Sequence, residues 1–492
     1  MIATAVLCLV VLPLAAAAVI WALRLRRAAG LVSIGLSGVM LVAALAVFIR
    51  VQERGPQTAF GDWIYIDSLG VIVLTLITVV GMCAALNSQS YIAHDVARGE
   101  LRAEDEARYY ALFLAFMATM AAVPVVNNLG VMWVAIEATT VVSVLLVSIY
   151  RTGHSLEAAW KYLVLGSVGI ALALFGTMMT YYAASATIGE SAGALNWTEL
   201  RATSVQLDPD VMRLAFIFVL VGYGTKVGLA PMHTWLPDAH SQAPSPVSGL
   251  LSGVLLNCAV YAVLRFRVLT MDAVGGSYAD HLLIGFGLFS VALAVPFLVV
   301  QHDIKRMLAY HSVEHMGIIV LAVGVGGQVA LYAAMLHLVA HSLTKSSLFF
   351  AAGSVVQAFN SRSMHRMRGL LRITPIPGAA LVVGALALAG LPPFAMFTSE
   401  YGLVSGSFAN GRAIIGVAGI LLVTLAAASL LYHTITAAFH EPRPNATPHR
   451  TSVTAAVSVL MPLVLLLWVS VAPPARFNRA LDEAVAVLEA RR

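Results

Sequence analysis

Apolar residues come in blocks of about twenty along this chain, with short polar clusters between them. A helix that crosses a bilayer needs about 20 such residues. The blocks therefore predict fourteen spans, at 2–23, 31–50, 67–87, 108–125, 129–150, 160–184, 212–240, 246–268, 281–301, 306–325, 328–358, 376–408, 412–438 and 452–472. Residues 473–492 read as a short amphipathic tail helix. Spans seven and twelve are long and interrupted by Pro or Gly. The longest loops, near 88–107 and 185–211, are too short for a soluble domain.

Composition agrees with the pattern. Of 492 residues, 60% are hydrophobic and 11% charged, against about 25% charged in a soluble domain. The chain reads as an all-α polytopic membrane protein. The net charge of +5 is spread over short loops, which excludes a nucleic-acid surface. Cys8, Cys83 and Cys258 are isolated in apolar segments with no CxxC spacing, so no iron–sulfur cluster, zinc site or disulfide framework is expected. The opening segment carries Arg24, Arg26 and Arg27 after its apolar run, the reverse of a cleaved signal peptide, and reads as a first span. With the N-terminus outside, sixteen Lys and Arg fall in inner loops and seven in outer loops. That bias predicts both termini on the outer side of a cell membrane.

Ionisable residues inside spans are costly and point to function. Glu137 lies about 12 Å into span five and Lys226 about 18 Å into span seven, by the helical rise. Glu314, Lys345 and Glu400 join them, with His337 and His341 on the helix of Lys345. A packing ion pair is the competing reading for any one of these, but buried charges stabilise poorly. A lysine in an apolar site readily changes protonation, which suits proton transfer. The breaks fit that chemistry. In GTKVGLAPMHTWLPDAH, Pro231 lacks a backbone donor and Gly224 and Gly228 loosen the helix around Lys226. GLPPFAMFTSE repeats the device before Glu400. Broken helices at membrane depth line cavities or are covered by protein.

Glu137 and Lys226 are 89 residues apart, Glu314 and Glu400 86 apart. Each pair joins an unbroken charged helix to a broken one two spans later. An offset of five helices inverts the unit, which predicts two inverted five-helix repeats, spans 4–8 and 9–13. The domains follow: 1–107 for the first three helices, 108–268 and 281–438 for the repeats, 452–492 for the last helix and tail. His337, His341 and Lys345 recur every fourth residue and so share a helix face, as a proton relay would. Polar glue between helices is the alternative. A His pair at this spacing can also bind metal, but no HExxH glutamate accompanies it, and no metal or cofactor is expected. His315 adjoins Glu314. His311 is placed near the inner surface, His240 and Asp238 at the inner mouth of span seven, and His233 nearer its break.

Four segments carry a family resemblance: GTKVGLAPMHTWLPDAHSQAPSPVSGLLSG, DIKRMLAYHSVEHMG, HLVAHSLTKSSLFFAAGSV and GLPPFAMFTSEYGL. Together they resemble the antiporter-like proton-conducting subunits of respiratory complex I, Mrp-type antiporters and membrane-bound hydrogenases. The likeness runs over about residues 60–440. VEHMG and a glutamate at 400 resemble the hydrogenase-4 component F group. The resemblance implies fourteen helices and a polar axis at mid-membrane. It assigns the span-five glutamate to Glu137, the span-seven lysine to Lys226, the bridge to His341 and Lys345, and the exit-side group to Glu400. Asn257 departs, standing where some complex I relatives have lysine. Asn cannot titrate, so transfer past it needs water or a histidine.

The expected function is proton translocation in a multi-subunit redox complex, with no catalytic centre in this chain. Its partners are other membrane subunits and a peripheral redox arm of hydrogenase or complex I type. Glu137 and Lys226 are expected to form a switchable pair. Three rivals stay open: an Mrp-type Na+/H+ antiporter subunit, a quinone- or metal-binding redox subunit, and a structural anchor.

Overall fold

The computed structural model describes residues 1–189, 193–442, 448 and 450–489. Arg443, one of the sixteen inner-loop cations, and residues 490–492 of the tail lie outside them. Helices follow the apolar blocks: α1 Ile2–Leu23 and α2 Ala28–Arg54, α3 Ser68–Ala97, α4 Asp105–Ala122, α5 Leu129–Val147, α6 Gly153–Ile188, α7 Pro209–Val227, α8 Trp235–Gln242 and α9 Ser245–Val274. Then come α10 Tyr278–Val300, α11 Ile304–Val325, α12 Gly327–Phe359, α13 Pro375–Leu388, α14 Ala395–Ala409, α15 Ala413–Phe439, α16 Val453–Val471 and the tail helix α17 Ala475–Leu488. A two-stranded antiparallel hairpin, β1 Gln57–Ala59 and β2 Ile64–Ile66, pairs Gln57 with Ile66 and sits between α2 and α3.

Among the described residues, eleven helical segments are long and apolar enough to cross a membrane, α7 and α8 counting as one. The remaining predicted spans are α4, the polar α12, and the pair α13 and α14. Helix starts carry side-chain caps where loops supply them. Asp67, Asn128, Thr152, Asp208 and Asp303 each accept backbone N–H groups at the first turns of α3, α5, α6, α7 and α11.

α11 and α12, which carry ionisable residues in their middle turns, are among the enclosed helices. α9 is buried throughout its apolar stretch and α11 nearly so, whereas α1, α2, α15 and α16 leave most of theirs on the outside. α12 is buried from Ala333 to Val355. Protein surrounds the polar helices and apolar helices form the rim, the distribution a bilayer enforces.

Both breaks occur at a Gly-Leu-x-Pro sequence. Gly228 (φ +83°) ends α7 and Gly390 (φ +65°) follows α13, each in the left-handed region that an L side chain avoids. Past each glycine a leucine amide reaches back five residues, Leu229 to the Gly224 carbonyl at 2.9 Å and Leu391 to that of Leu386 at 3.2 Å. A later amide is caught by a serine from a neighbouring helix: Ala230 N–H by Ser290 at 2.9 Å, Ala395 N–H by Ser470 at 2.7 Å. The Trp235 indole donates at 2.8 Å to the Thr225 carbonyl, which the Gly228 N–H also reaches at 3.2 Å. Broken backbone in the interior is thus satisfied by protein groups.

Some cations counted as loop residues are interior. Arg265 pairs bidentately with Asp67, both contacts 2.7 Å, and lies 4.1 Å from the Trp197 ring centroid. Arg267 meets Asp280 at 2.8 Å and donates to the Leu488 carbonyl at 2.9 Å. Lys305 is buried and donates to the Ala243 carbonyl. The reason is helix continuation: α9 runs on to Val274, and α11 starts at Ile304, so these residues belong to helix ends packed under neighbours. α17 is docked over the same end as Arg265, through Glu483 to Gln52 at 2.9 Å and to Ser68 at 2.5 Å.

Candidate functional site

In the first half, Lys226 sits two residues before Gly228 and is 1% exposed. Its ammonium donates to Thr140 Oγ1 at 2.9 Å and to the Tyr162 hydroxyl at 2.6 Å. Tyr162 OH lies 2.8 Å from Ser143 Oγ. Ser143 back-bonds to the Thr139 carbonyl at 2.6 Å, so Tyr162 is the donor to Ser143. The Tyr162 ring is stacked on Trp235 at 4.3 Å, which fixes it beside the break. Glu137 is one turn from Thr140 on α5. It is half-buried, one carboxylate oxygen is buried with no hydrogen-bond partner, and its helix presents Val134, Val141 and Leu145 outward. The expected direct Glu137–Lys226 pair is not formed among the described contacts. The ammonium lies one turn along α5, and hydroxyls solvate it instead.

Asn257 lies between the halves. Its amide donates to Ser342 Oγ on α12 at 2.6 Å and to the Gly253 carbonyl at 2.9 Å, while its carbonyl oxygen is buried without a partner. The neutral side chain ties α9 to the residue beside His341. Ser252 and Ser312 add a second hydroxyl contact, 2.7 Å, between α9 and α11.

In the second half the α12 stripe meets α11. Lys345 donates to the Leu308 carbonyl and lies 5.8 Å from the Phe349 ring centroid. Phe349 also stacks on His240, with ring centroids 5.1 Å apart. His240 and His341 are fully enclosed, with neither ring nitrogen bonded. His311 Nδ1 is 2.7 Å from Glu314 Oε2. His315 Nδ1 is 2.9 Å from His337 Nε2, and His337 Nδ1 is 2.9 Å from Ser399 Oγ. The ring of His341 is 5.6 Å from that of His315. Glu400 follows Ser399. Its carboxylate lies against Gly390, where a Cβ would stand 2.1 Å from Oε2, and its other oxygen is buried and unbonded. A cavity of about 480 Å³, lined by Gly390, Phe397, Glu400, Tyr401 and Thr424, adjoins it.

Nine of the eleven expected residues are buried or half-buried within this array; His233 and Asp238 stand apart from it. His233 faces Phe297 and Tyr310. Asp238 is half-buried at the edge of the bundle, held by Lys161 of α6 at 3.1 Å and by Arg306 of α11. His311, expected at a surface, is 1% exposed and carries the Glu314 contact. Tyr162, Thr140, Ser143 and Ser399 were missed. Hydroxyl residues are common in apolar helices, and nothing in their spacing separates these four from the rest. Two donor sets, His311/Glu314/His315 and His315/His337/Glu400, are close enough to share an ion. Within each set, two of the donors already hydrogen-bond to each other.

The family described as NADH:quinone oxidoreductase/Mrp antiporter, transmembrane, matches residues 126–426. The chain belongs to this family. A "Hydrogenase-4 component F homolog" of Methylacidiphilum infernorum is 44% identical over 391 residues, covering 80% of this chain and 82% of the relative. The "NADH-quinone oxidoreductase subunit N" of Desulforudis audaxviator is 29% identical over 433 residues, covering 84% and 83%. The fold superposes on a chain of the membrane-bound sulfane sulfur reductase, an archaeal respiratory membrane complex, with TM-score 0.88 at 23% identity, covering 99% of this chain and 97% of that one. It also superposes on a chain of the Mrp complex from Dietzia sp. DQ12-45-1b, with TM-score 0.87 at 21% identity, covering 99% and 97%. Family membership thus spans residues of both broken helices and of the array between them.

Proposed function

We propose that this chain is a proton-translocating membrane subunit of a multi-subunit redox complex of hydrogenase-4 type. One observation carries the reading: buried ionisable and polar side chains on α7, α9, α11, α12 and α14, among them Lys226, Asn257, Glu314, His315, His337, His341, Lys345 and Glu400, gather in the interior of the bundle. Stability alone does not account for it, because buried charges are a poor way to hold helices together. The relatives named as hydrogenase-4 and NADH-quinone oxidoreductase components support the redox setting.

The chain crosses the membrane fourteen times in this reading, with α4–α9 and α10–α15 as inverted repeats and both termini outside. The matching Gly-Leu-x-Pro breaks support the repeat. Lys226 at rest is held by Thr140 and Tyr162. Glu137 lies on a lateral face, where a neighbouring subunit's charge can reach it. Movement of Glu137 toward or away from Lys226 changes the ammonium's electrostatic support, and a weakly supported lysine releases its proton. The proton passes by way of His341, Lys345 and the histidines of α11 and α12 to Glu400.

The test is Lys226→Ala in the assembled, reconstituted complex. Redox turnover should continue with proton translocation lost. Pumping at wild-type stoichiometry would end the proposal. An Mrp-type antiporter is the second reading, favoured by the superposition on the Dietzia Mrp chain. It predicts sodium-dependent proton exchange in proteoliposomes without any redox substrate.

A further inference from the structure

The hydrogen bonds around His337 leave only a few consistent proton arrangements. Ser399 has one hydroxyl proton and two acceptors in reach: the Met396 carbonyl at 2.7 Å and His337 Nδ1 at 2.9 Å. His337 Nε2 faces His315 Nδ1 at 2.9 Å, and only one of those two nitrogens can carry the proton between them. If Ser399 donates to Met396, then His337 Nδ1 must be the donor to Ser399. A neutral His337 then has a bare Nε2, and His315 Nδ1–H donates to it. If Ser399 turns to donate to His337 Nδ1, every bond reverses: His337 carries its proton on Nε2 and His315 accepts. All three side chains are buried, so no solvent shell blurs the choice. The far nitrogen of His315 has no partner, so it is free in either arrangement.

We propose that Ser399 is a two-position switch that sets the tautomer of His337 and thereby the direction in which the His315–His337 pair passes a proton. This rests on the proton-translocation reading above and deepens it. In the first arrangement a proton arriving on the bare Nε2 of His315 displaces the Nδ1 proton, which moves to His337 Nε2. The doubly protonated His337 then gives up its Nδ1 proton to the ionised carboxylate of Glu400, the residue after Ser399; one oxygen of that carboxylate lies within 4.8 Å of one ring nitrogen of each histidine. One proton enters and one leaves. The Ser399 hydroxyl turns from Met396 to the vacated Nδ1, and the pair is left in the reversed arrangement. A second proton cannot follow in the same direction until the reversed bonds are reset and Ser399 swings back. Ser399 is therefore a positioning residue: it acts through His337, whose Nδ1 proton it holds by a hydrogen bond until that proton leaves the ring.

The experiment uses Ser399→Ala and Ser399→Thr, with two readouts. The first is ¹⁵N NMR of the histidine-labelled full chain in lipid nanodiscs, the His337 ring signals being identified by their loss in His337→Gln. Nδ1–H and Nε2–H tautomers give distinct shifts. The second is proton translocation by the assembled complex. Ser399→Ala should shift the His337 tautomer ratio and slow translocation about tenfold, the scale of one lost buried hydrogen bond. Ser399→Thr, which keeps the hydroxyl, should restore both. An unchanged His337 tautomer in Ser399→Ala overturns the switch. So does a changed tautomer with wild-type translocation, and so does equal slowing by Ala and Thr. A wild-type complex that moves no protons overturns the translocation reading instead, while the NMR still decides what Ser399 does to His337.

Discussion

Tyr162 shows how a single hydroxyl shapes the behaviour of a buried lysine. Lys226 has three N–H donors and, among the described residues, no carboxylate in hydrogen-bonding contact, so Tyr162 and Thr140 hold it. A hydrogen bond to a charged group contributes about 1.5–3 kcal/mol. Tyr162→Phe keeps the ring stacked on Trp235 and removes only the oxygen, so the charged ammonium loses support by that amount. The expected outcome is a translocation rate changed about tenfold or more, with assembly intact on native gels. An unchanged rate would mean that Tyr162 is packing alone. Lys226 itself was legible in the sequence, because a lysine in an apolar run is conspicuous. Tyr162 was not: it stands next to Lys161, a solvent-facing cation, and nothing in the order of residues says which of the two turns inward.

The broken helices carry the argument at the next scale. Their prolines and glycines could be read directly, since Pro cannot donate and Gly alone enters the left-handed region cheaply. What satisfies the freed backbone could not be read, because Ser290, Ser470 and Trp235 come from distant or neighbouring elements that only the fold brings near. The two broken segments carry their charges at different registers. In the register set by Gly-Leu-x-Pro, Glu400 lies ten residues past its glycine and so corresponds to Asp238, while Lys226 corresponds to Leu388. One half places its buried charge before the break and the other after it.

Gly390 tests this element directly. Gly390→Ala forces both a strained φ and a Cβ into the Glu400 carboxylate. It should destabilise the folded chain by about 1–3 kcal/mol for the backbone alone. Gly285→Ala, in open space on α10, should leave thermal stability unchanged. If the clash with Glu400 matters, Glu400→Ala in the Gly390→Ala background should recover part of the lost melting temperature. Additive losses would show that strain, not the carboxylate, is the cause. The Arg265–Asp67 pair makes a separate case at the other end of the bundle. It fixes α9 to the start of α3, and Arg265→Met should cost about 3–5 kcal/mol by leaving Asp67 buried and unpaired, read as a loss of assembled protein on extraction.

At the scale of the whole molecule, the question is whether the polar array transports or merely anchors. Burial alone does not separate the two, because an anchor also hides its polar groups inside protein. The distinction lies in how those groups are satisfied. Charges that hold helices together meet each other directly, as Arg265 and Asp67 do. Instead Glu137 and Glu400 each keep a buried carboxylate oxygen without a partner, and His240 and His341 keep both ring nitrogens free. A buried ionisable group without a protein partner costs more than a neutral one, and it adds nothing to rigidity. Neutralising Glu137, Lys226 and Glu400 together, as Gln, Met and Gln, should therefore leave the complex assembled and at least as heat-stable as the wild type. Redox-driven proton movement should fall to the level of a protein-free vesicle. Coupling that survives this triple change would identify the chain as an anchor. Loss of assembly, with melting lowered, would show that the three charges hold the bundle rather than serve it.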